Sequence, residues 1–196
     1  MVKKVRVSMV QEAGYADIFV EPRTNLVRDQ RRADIFYVDR TGHKHVHYYT
    51  DDCVAHPLSK THIACIDHPF NPEHCHGEAE DPTTAMGKME TKKADSYASQ
   101  LLAARTHPSV LCGLRAINYK TCSFNSLGAY GKGTTKCING AAGFMKKRLV
   151  AEARLVPRAD GKQPQDVSGR FRFMSRAKLQ VALMRGNGLL ANLVGL

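Results

Sequence analysis

The sequence predicts a single α/β domain, and three segments with different periodicities support this prediction. Residues 32–40 and 43–55 are rich in β-branched and aromatic side chains, and the turn "RTG" at 40–42 separates them, which predicts a β-hairpin. A helical pattern follows, in which apolar residues recur every three or four positions up to about residue 105. An order of hairpin, helix, strands and helices within 196 residues is typical of one α/β domain.

Proline and glycine separate the predicted elements in the first half of the chain. Residues 66–82 contain three prolines and a glycine and predict a loop. Pro82 then predicts the first turn of the helix, and Pro108 predicts its end. Residues 109–124 are apolar and rich in β-forming residues, so they predict one or two further strands.

The C-terminal half is predicted to be mainly helical. A glycine-rich stretch delays the next helix, which is expected over 141–155, and a loop follows at 157–165. A helix from residue 171, with a second apolar segment, closes the chain. Residues 1–30 are predicted to be an N-terminal lead-in of unassigned structure, and residues 31–196 the domain itself.

The charge of the chain favours a polyanionic partner. The net charge is +11, as is common in proteins that bind DNA. The sequence contains no apolar run of about 18 residues, so no membrane span is predicted. The N-terminus does not resemble a signal peptide, and six cysteines in such a chain favour reduced thiols inside a cell. Each basic side chain proposed to contact DNA has the alternative of a solvated helix face. These residues are Arg32, Lys92, Arg170, Arg172, Arg176 and Lys178.

Two aspartates lie among apolar neighbours in the predicted hairpin. If the two strands pair around the turn, Asp34 and Asp51 become cross-strand neighbours. Two ionised carboxylates at that separation repel each other, and a divalent cation relieves the repulsion. Hard oxygen ligands suit Mg²⁺ or Mn²⁺, so the pair predicts a site for one of these ions.

The neighbouring aspartate is expected to face elsewhere. Residues 49–52 read Y-T-D-D, a pattern that polymerases copying RNA into DNA use for two metal-binding aspartates. Successive side chains of a strand point to opposite faces, so only Asp51 can face Asp34, and Asp52 cannot. Only 48 residues precede Tyr49, which leaves too little room for the rest of a polymerase, so a polymerase fragment is the less favoured alternative.

A lysine interrupts the apolar stripe of the predicted helix. Position 93 lies on this stripe, whereas Lys92 is rotated away by about 100°. One interpretation is that Lys93 extends to water at the edge of the core. The other is that its ammonium points at the aspartate pair, where it orients water or stabilises charge on a phosphate. The other positions of the stripe are Met86, Met89, Tyr97 and Leu101.

Histidines and cysteines offer a zinc site as a further alternative. Three histidines at 43, 45 and 47 alternate along one strand face, and residues 73–78 read "EHCHGE". The direct succession of histidine and cysteine is poor spacing for one tetrahedral site, so zinc is not expected. A zinc-dependent structural module is kept as a less favoured alternative.

The same residues resemble a known nuclease family. The segments "RRADIFYVD", "YYTDDCVAHP" and "METKKADSYASQ" are similar to the restriction-endonuclease-like PD-(D/E)XK domain found at the C-terminus of reverse transcriptases of site-specific non-LTR retrotransposons. The resemblance implies a restriction-endonuclease-like core, with a mixed central sheet and a β-hairpin flanked by helices. It also implies a nuclear, Mg²⁺-dependent endonuclease that nicks target DNA for target-primed reverse transcription, with a polymerase domain possible in a longer parent protein.

The resemblance assigns roles to three residues. Asp34 and Asp51 stand at the metal-binding catalytic aspartates, and Lys93 stands at the catalytic lysine, which this group places on the helix. Two positions differ from the pattern. Ala33 replaces the proline of the motif, and Asp52 occupies a position where the family usually has an apolar residue. These differences favour the alternative of an inactive DNA-binding remnant of such a nuclease.

Overall fold

The computed structural model describes residues 1–22, 33–55, 85–125, 128–152 and 167–194. Within these ranges, four strands form one sheet: β1 (Ala16–Val20), β2 (Ile35–Asp39), β3 (His45–Ala55) and β4 (Arg115–Asn125). The described helices are α1 (Val2–Ala13), α2 (Ala85–Arg105), the short α3 (Pro108–Leu111), α4 (Lys132–Ala151) and α5 (Val167–Val194). The predicted α/β class is confirmed: a four-stranded mixed sheet is flanked by helices.

The sheet has the order β1-β2-β3-β4, and the predicted hairpin is its centre. Strands β2 and β3 pair antiparallel, with Ile35 opposite Thr50 and Asp39 opposite Val46. Strand β1 is antiparallel to β2, whereas β4 is parallel to β3. A parallel pair needs a long crossover, and α2 lies within the connection from β3 to β4.

The two faces of the sheet have different characters because side chains alternate along each strand. One face packs against α1 and α4, and α5 packs on these two helices and completes the apolar core. The opposite face carries Asp51 and is covered by α2 along β3 and β4. The residues at the centre of the core are Val10, Ile35, Cys122, Phe124, Ile138 and Leu179.

The N-terminal residues belong to the same core as the rest of the domain. Residues 1–30 were predicted to be a lead-in, but the described part, 1–22, forms α1 and β1. Met9 and Val10 are buried against the sheet, and β1 adds a strand beside β2. The packed core therefore extends to both sides of the predicted boundary at residue 30.

The predicted start of the helix after β4 is wrong. Helix α4 begins at Lys132, well before residue 141, because the glycines allow close contact with β4 rather than preventing helix formation. A Cβ at Gly133 would overlap the carbonyl oxygen of Thr121, so only glycine lets the first turn of α4 approach the strand. The segment 109–124 holds the end of α3 and then one strand, β4, which agrees with the prediction of one or two strands.

The other predicted elements agree with the structure where it describes them. Helix α2 ends at Arg105, as Pro108 predicts, and α5 is one continuous helix over the described C-terminal segment. The predicted loops at 66–82 and 157–165, and the helix start at Pro82, lie outside the described residues. Within the described ranges, no helix combines the length and apolar composition needed to cross a bilayer.

Candidate active site

The structure brings Asp34 and Asp51 together on one face of the sheet. Asp34 immediately precedes β2, and the register that pairs Ile35 with Thr50 places it beside Asp51 of β3. The two carboxyl groups lie close enough that each one shifts the pKa of the other. Asp51 is 3% exposed, so its carboxyl is almost entirely removed from water.

Burial and proximity separate the acidities of the two carboxyls. Burial, followed by the hydrogen bond with Asp34, raises the pKa of Asp51 from 3.8 to about 6, and Lys93 only partly opposes this shift. Burial also acts to raise the pKa of Asp34, but the hydrogen bond with Asp51 and the ammonium of Lys3 outweigh it, so this pKa is lowered. The pair therefore holds one proton at mildly acidic pH, as expected of two carboxyls that cannot both ionise freely.

Lys93 completes the predicted constellation. Its Nζ lies 2.7 Å from Oδ2 of Asp51, and its side chain is 38% exposed. Met86 and Tyr97 of the same stripe are buried, whereas Lys92 points to solvent, as the helical pattern predicts. The ammonium therefore contacts the buried carboxylate while part of the side chain remains accessible from outside.

Lys3 is a member of the site that the sequence did not reveal. Its Nζ lies 2.6 Å from Oδ1 of Asp34 and 2.7 Å from Oε1 of Glu21. The other oxygen of Asp34 accepts a hydrogen bond from the backbone N–H of Asp52 at 2.7 Å. Both oxygens of Asp34 are thus fixed, and the pKa of Lys3 is raised, mainly by its hydrogen bond to Asp34.

The structure gives Asp52 a role on the other face of the sheet. Its side chain forms an ion pair with the guanidinium of Arg6 in α1, and Arg6 is only 1% exposed. The guanidinium also donates a hydrogen bond of 2.9 Å to the hydroxyl of Thr50. Asp52 therefore compensates a buried charge that would otherwise destabilise the fold. Its difference from the family pattern has a structural explanation that does not involve the carboxylate pair.

Glu90 holds α2 in place one turn before Lys93. Its Oε1 accepts hydrogen bonds from the hydroxyl of Ser123 at 2.5 Å and from the backbone N–H of Gly133 at 3.0 Å. A carboxylate at the N-terminus of α4 also interacts favourably with the helix dipole. Because Glu90 and Lys93 lie on one face of α2, Glu90 fixes the position of the lysine. The spacing E-x-x-K at residues 90–93 is the sequence signal that indicates Glu90 as a partner of Lys93.

The donor set fits a divalent cation of the magnesium type. Asp34 and Asp51 offer hard carboxylate oxygens, and a cation can replace the proton that the two carboxyls share. Mg²⁺ commonly takes one or two protein carboxylates and completes its shell with water and substrate phosphate. Among the described residues, no group of three or more histidine, cysteine and acidic side chains is arranged to hold a metal.

The alternative zinc ligands do not form a site in the described structure. His43 lies before β3, whereas His45 and His47 lie on it, and His47 packs its ring against Phe36. The "EHCHGE" segment at 73–78 lies outside the described residues.

The basic residues predicted to bind DNA do not converge on the carboxylates. Arg170, Arg176 and Lys178 are exposed on α5, which packs on α1 and α4 on the side of the sheet opposite Asp51. Lys178 pairs with Glu12 at 2.6 Å, and Arg172 is bonded to Ser168 one turn away. Lys92 is exposed on α2, beside the site, and Arg32 lies outside the described residues.

Comparison with known proteins adds no relative. No protein-family model, no curated protein and no solved structure matches this chain. The family resemblance therefore stays a prediction, and the fold supports the coarser description of a mixed α/β domain.

Proposed function

We propose that this chain is a metal-dependent DNA endonuclease domain. The observation that supports the proposal most directly is the convergence of three ionisable groups: Asp34 lies beside Asp51 across the hairpin, and Nζ of Lys93 lies 2.7 Å from Oδ2 of Asp51. Two carboxylates and an ammonium beside a divalent cation are the parts of a site that cleaves a phosphodiester. The net charge of +11 favours a polyanionic substrate.

Asp34 and Asp51 would hold the cation, Mg²⁺ or Mn²⁺. When bound, such a cation supplies positive charge at the scissile phosphate and acidifies water. Burial of Asp51 keeps bulk water away from its carboxylate, which strengthens each electrostatic interaction at that point. The N–H of Asp52 orients Asp34 through its hydrogen bond, so the direction of that carboxylate is set by the backbone of β3.

Lys93 would act on the substrate rather than on the fold. Its side chain is partly exposed, so the ammonium can donate hydrogen bonds to a phosphate oxygen or to an attacking water while it contacts Asp51. Glu90 positions it through Ser123 and the first turn of α4. The charge that develops on the phosphate is thereby met by a fixed positive group.

A second candidate function is a DNA-binding remnant without nuclease activity. The observation that favours it is the ion pair between Lys3 and Asp34, in which the ammonium lies 2.6 Å from an oxygen that a cation would need. If this pair persists with DNA bound, the lysine takes the place of the cation.

The biological setting of the endonuclease is proposed from the sequence resemblance alone: a nuclear protein that nicks target DNA to prime reverse transcription, with a polymerase domain in a longer parent.

Plasmid nicking separates the two candidates. Supercoiled plasmid is incubated with the purified protein in Mg²⁺, in Mn²⁺ and in EDTA, and nicked circles are quantified against time. An endonuclease produces nicked circles with either cation and none in EDTA. Tight plasmid binding without nicking under all three conditions would contradict the nuclease proposal and favour the remnant.

A further inference from the structure

A row of aromatic side chains crosses the sheet on the face that carries the carboxylates. Phe19 of β1, Phe36 of β2 and Tyr49 of β3 lie side by side. The ring centroids of Phe19 and Phe36 are 6.0 Å apart, and those of Phe36 and Tyr49 are 4.9 Å apart. His47 adds a fourth ring, 5.4 Å from Phe36. We call Phe19, Phe36, Tyr49 and His47 the aromatic row.

The aromatic row lies on the face opposite the apolar core. Ile35 and Tyr37 flank Phe36 in sequence and point into that core, so Phe36 points away from it. Phe19 exposes 56% of its surface, and the other three rings are half-buried. Within the described residues, these rings form a contiguous and partly accessible aromatic surface, which is typical of a binding site.

The row adjoins the carboxylate pair directly. Asp34 precedes Phe36 by two residues, and Asp51 follows Tyr49 by two residues, so all four lie on one face of the sheet. Two residues along a strand span about 7 Å. Stacked nucleotides rise about 3.4 Å each along one strand. A base on the row and a phosphate at the carboxylates would therefore be one or two nucleotides apart.

The charges beside the row suit a nucleic-acid backbone. Arg115 of β4 lies opposite His45, two residues before His47 on the same face of the sheet. Burial raises the pKa of Tyr49 and lowers that of His47, and the positive charge of Arg115 opposes the first shift and adds to the second. Burial is the larger cause for His47, whose pKa falls to about 4, so this ring is neutral at pH 7. The surface thus combines neutral aromatic rings with a guanidinium at its edge, the combination with which proteins bind single strands.

We propose that the aromatic row binds unpaired nucleobases, and that the substrate at the carboxylates is a single-stranded or locally opened DNA. Bases within a duplex have their faces covered by stacking, so only unpaired bases can present a face to Phe19 and Phe36. Arg115 then lies beside the phosphates of the same strand. This inference rests on the proposed endonuclease function for the role of the carboxylates, but the binding itself does not depend on catalysis.

Fluorescence anisotropy tests the inference without any cleavage. The protein is titrated into a labelled oligothymidylate in EDTA, and separately into a labelled duplex. Phe19→Leu keeps an apolar side chain but removes the ring, and we expect at least about a 5-fold loss of affinity for the single strand. Phe36→Leu is expected to act in the same direction. Phe173→Leu is the matched control, because Phe173 is 70% exposed on α5, across the sheet, and its replacement should change nothing.

Each result decides between the alternatives. Unchanged affinity in both row variants, or an equal loss in Phe173→Leu, would overturn the proposal. So would a loss of the same size for the duplex, because the rings would then not be reading unpaired bases. Light scattering provides the last check: if Phe19→Leu converts an oligomer into a monomer, the row is a protein interface instead. Failure of the wild-type protein to nick DNA would contradict only the nuclease proposal and leave the anisotropy result intact.

Discussion

The buried ion pair between Arg6 and Asp52 predicts a large loss of stability on substitution. Arg6→Met keeps the apolar stem of the side chain within the core but removes the guanidinium. Asp52 then remains on the sheet without its counter-ion, and Thr50 loses a hydrogen-bond donor. Because Arg6 is 1% exposed and the side chain of Asp52 is 13% exposed, water cannot readily replace the lost partner.

The magnitude follows from this burial. Removing one partner of a buried pair costs about 3–5 kcal/mol, most of it from the charge left behind. For a chain of this size, each 1 kcal/mol lowers the melting temperature by about 2–4 °C, so the expected decrease is about 6–20 °C. Lys178→Met provides the matched control, since its pair with Glu12 is about 40% exposed on both sides and should contribute at most about 1 kcal/mol.

Thermal and urea unfolding, followed by circular dichroism, measure both variants. The double variant Arg6→Met/Asp52→Leu should recover part of the loss, because no buried charge remains unpaired. If Arg6→Met destabilises the protein no more than Lys178→Met does, the buried pair does not have the role that the structure indicates.

Three further variants test the carboxylate site and its surroundings. In EDTA, the raised pKa of Asp51 stabilises the fold fully below pH 3.8, and this stabilisation is lost as the pH rises through about 6. Asp51→Asn should therefore abolish the loss of stability in melting curves between about pH 4.5 and 7.5. A pH profile in the variant that matches wild type would contradict the raised pKa. His47 acts with the opposite sign, because its lowered pKa makes the fold lose stability as the pH falls from 6.5 toward about 4. His47→Gln should remove that loss from the same melting curves, and a wild-type pH profile in this variant would contradict the lowered pKa of His47. Lys93→Met should slow plasmid nicking about 100- to 1,000-fold at saturating DNA, while Lys4→Met, at an exposed lysine of α1, should leave the rate unchanged; equal rates in the two variants would remove Lys93 from the mechanism.

Local sequence patterns predict correctly that Asp34, Asp51 and Lys93 lie together. The turn at 40–42 sets the register of the hairpin, and the register in turn brings Asp34 beside Asp51. The helical spacing of α2 predicts that Lys93 faces inward and Lys92 outward, as the structure shows. Alternation along β3 also separates Asp51 from Asp52 correctly. Each of these inferences depends on periodicity within one or two neighbouring elements.

Contacts between distant segments could not be predicted in this way. Lys3 and Arg6 lie on α1 and meet Asp34 and Asp52 only because α1 packs across the sheet. Their own sequence context shows no pattern that distinguishes them from solvated basic residues. The early start of α4 has a similar cause, because Gly133 is required by the close approach of α4 to strand β4 and not by the helix itself.

Nicking by Asp51→Asn tests the central claim most directly. The variant keeps the size of the buried side chain but loses the charge that a cation requires. Its plasmid nicking in Mg²⁺ is compared with that of wild type and of Asp95→Asn, an exposed aspartate on α2, and oligonucleotide binding confirms that each protein is folded. We predict that Asp51→Asn binds DNA but produces no nicked circles, while Asp95→Asn nicks at the wild-type rate. Nicking by Asp51→Asn at the wild-type rate would contradict the assignment of the carboxylate pair as the active site.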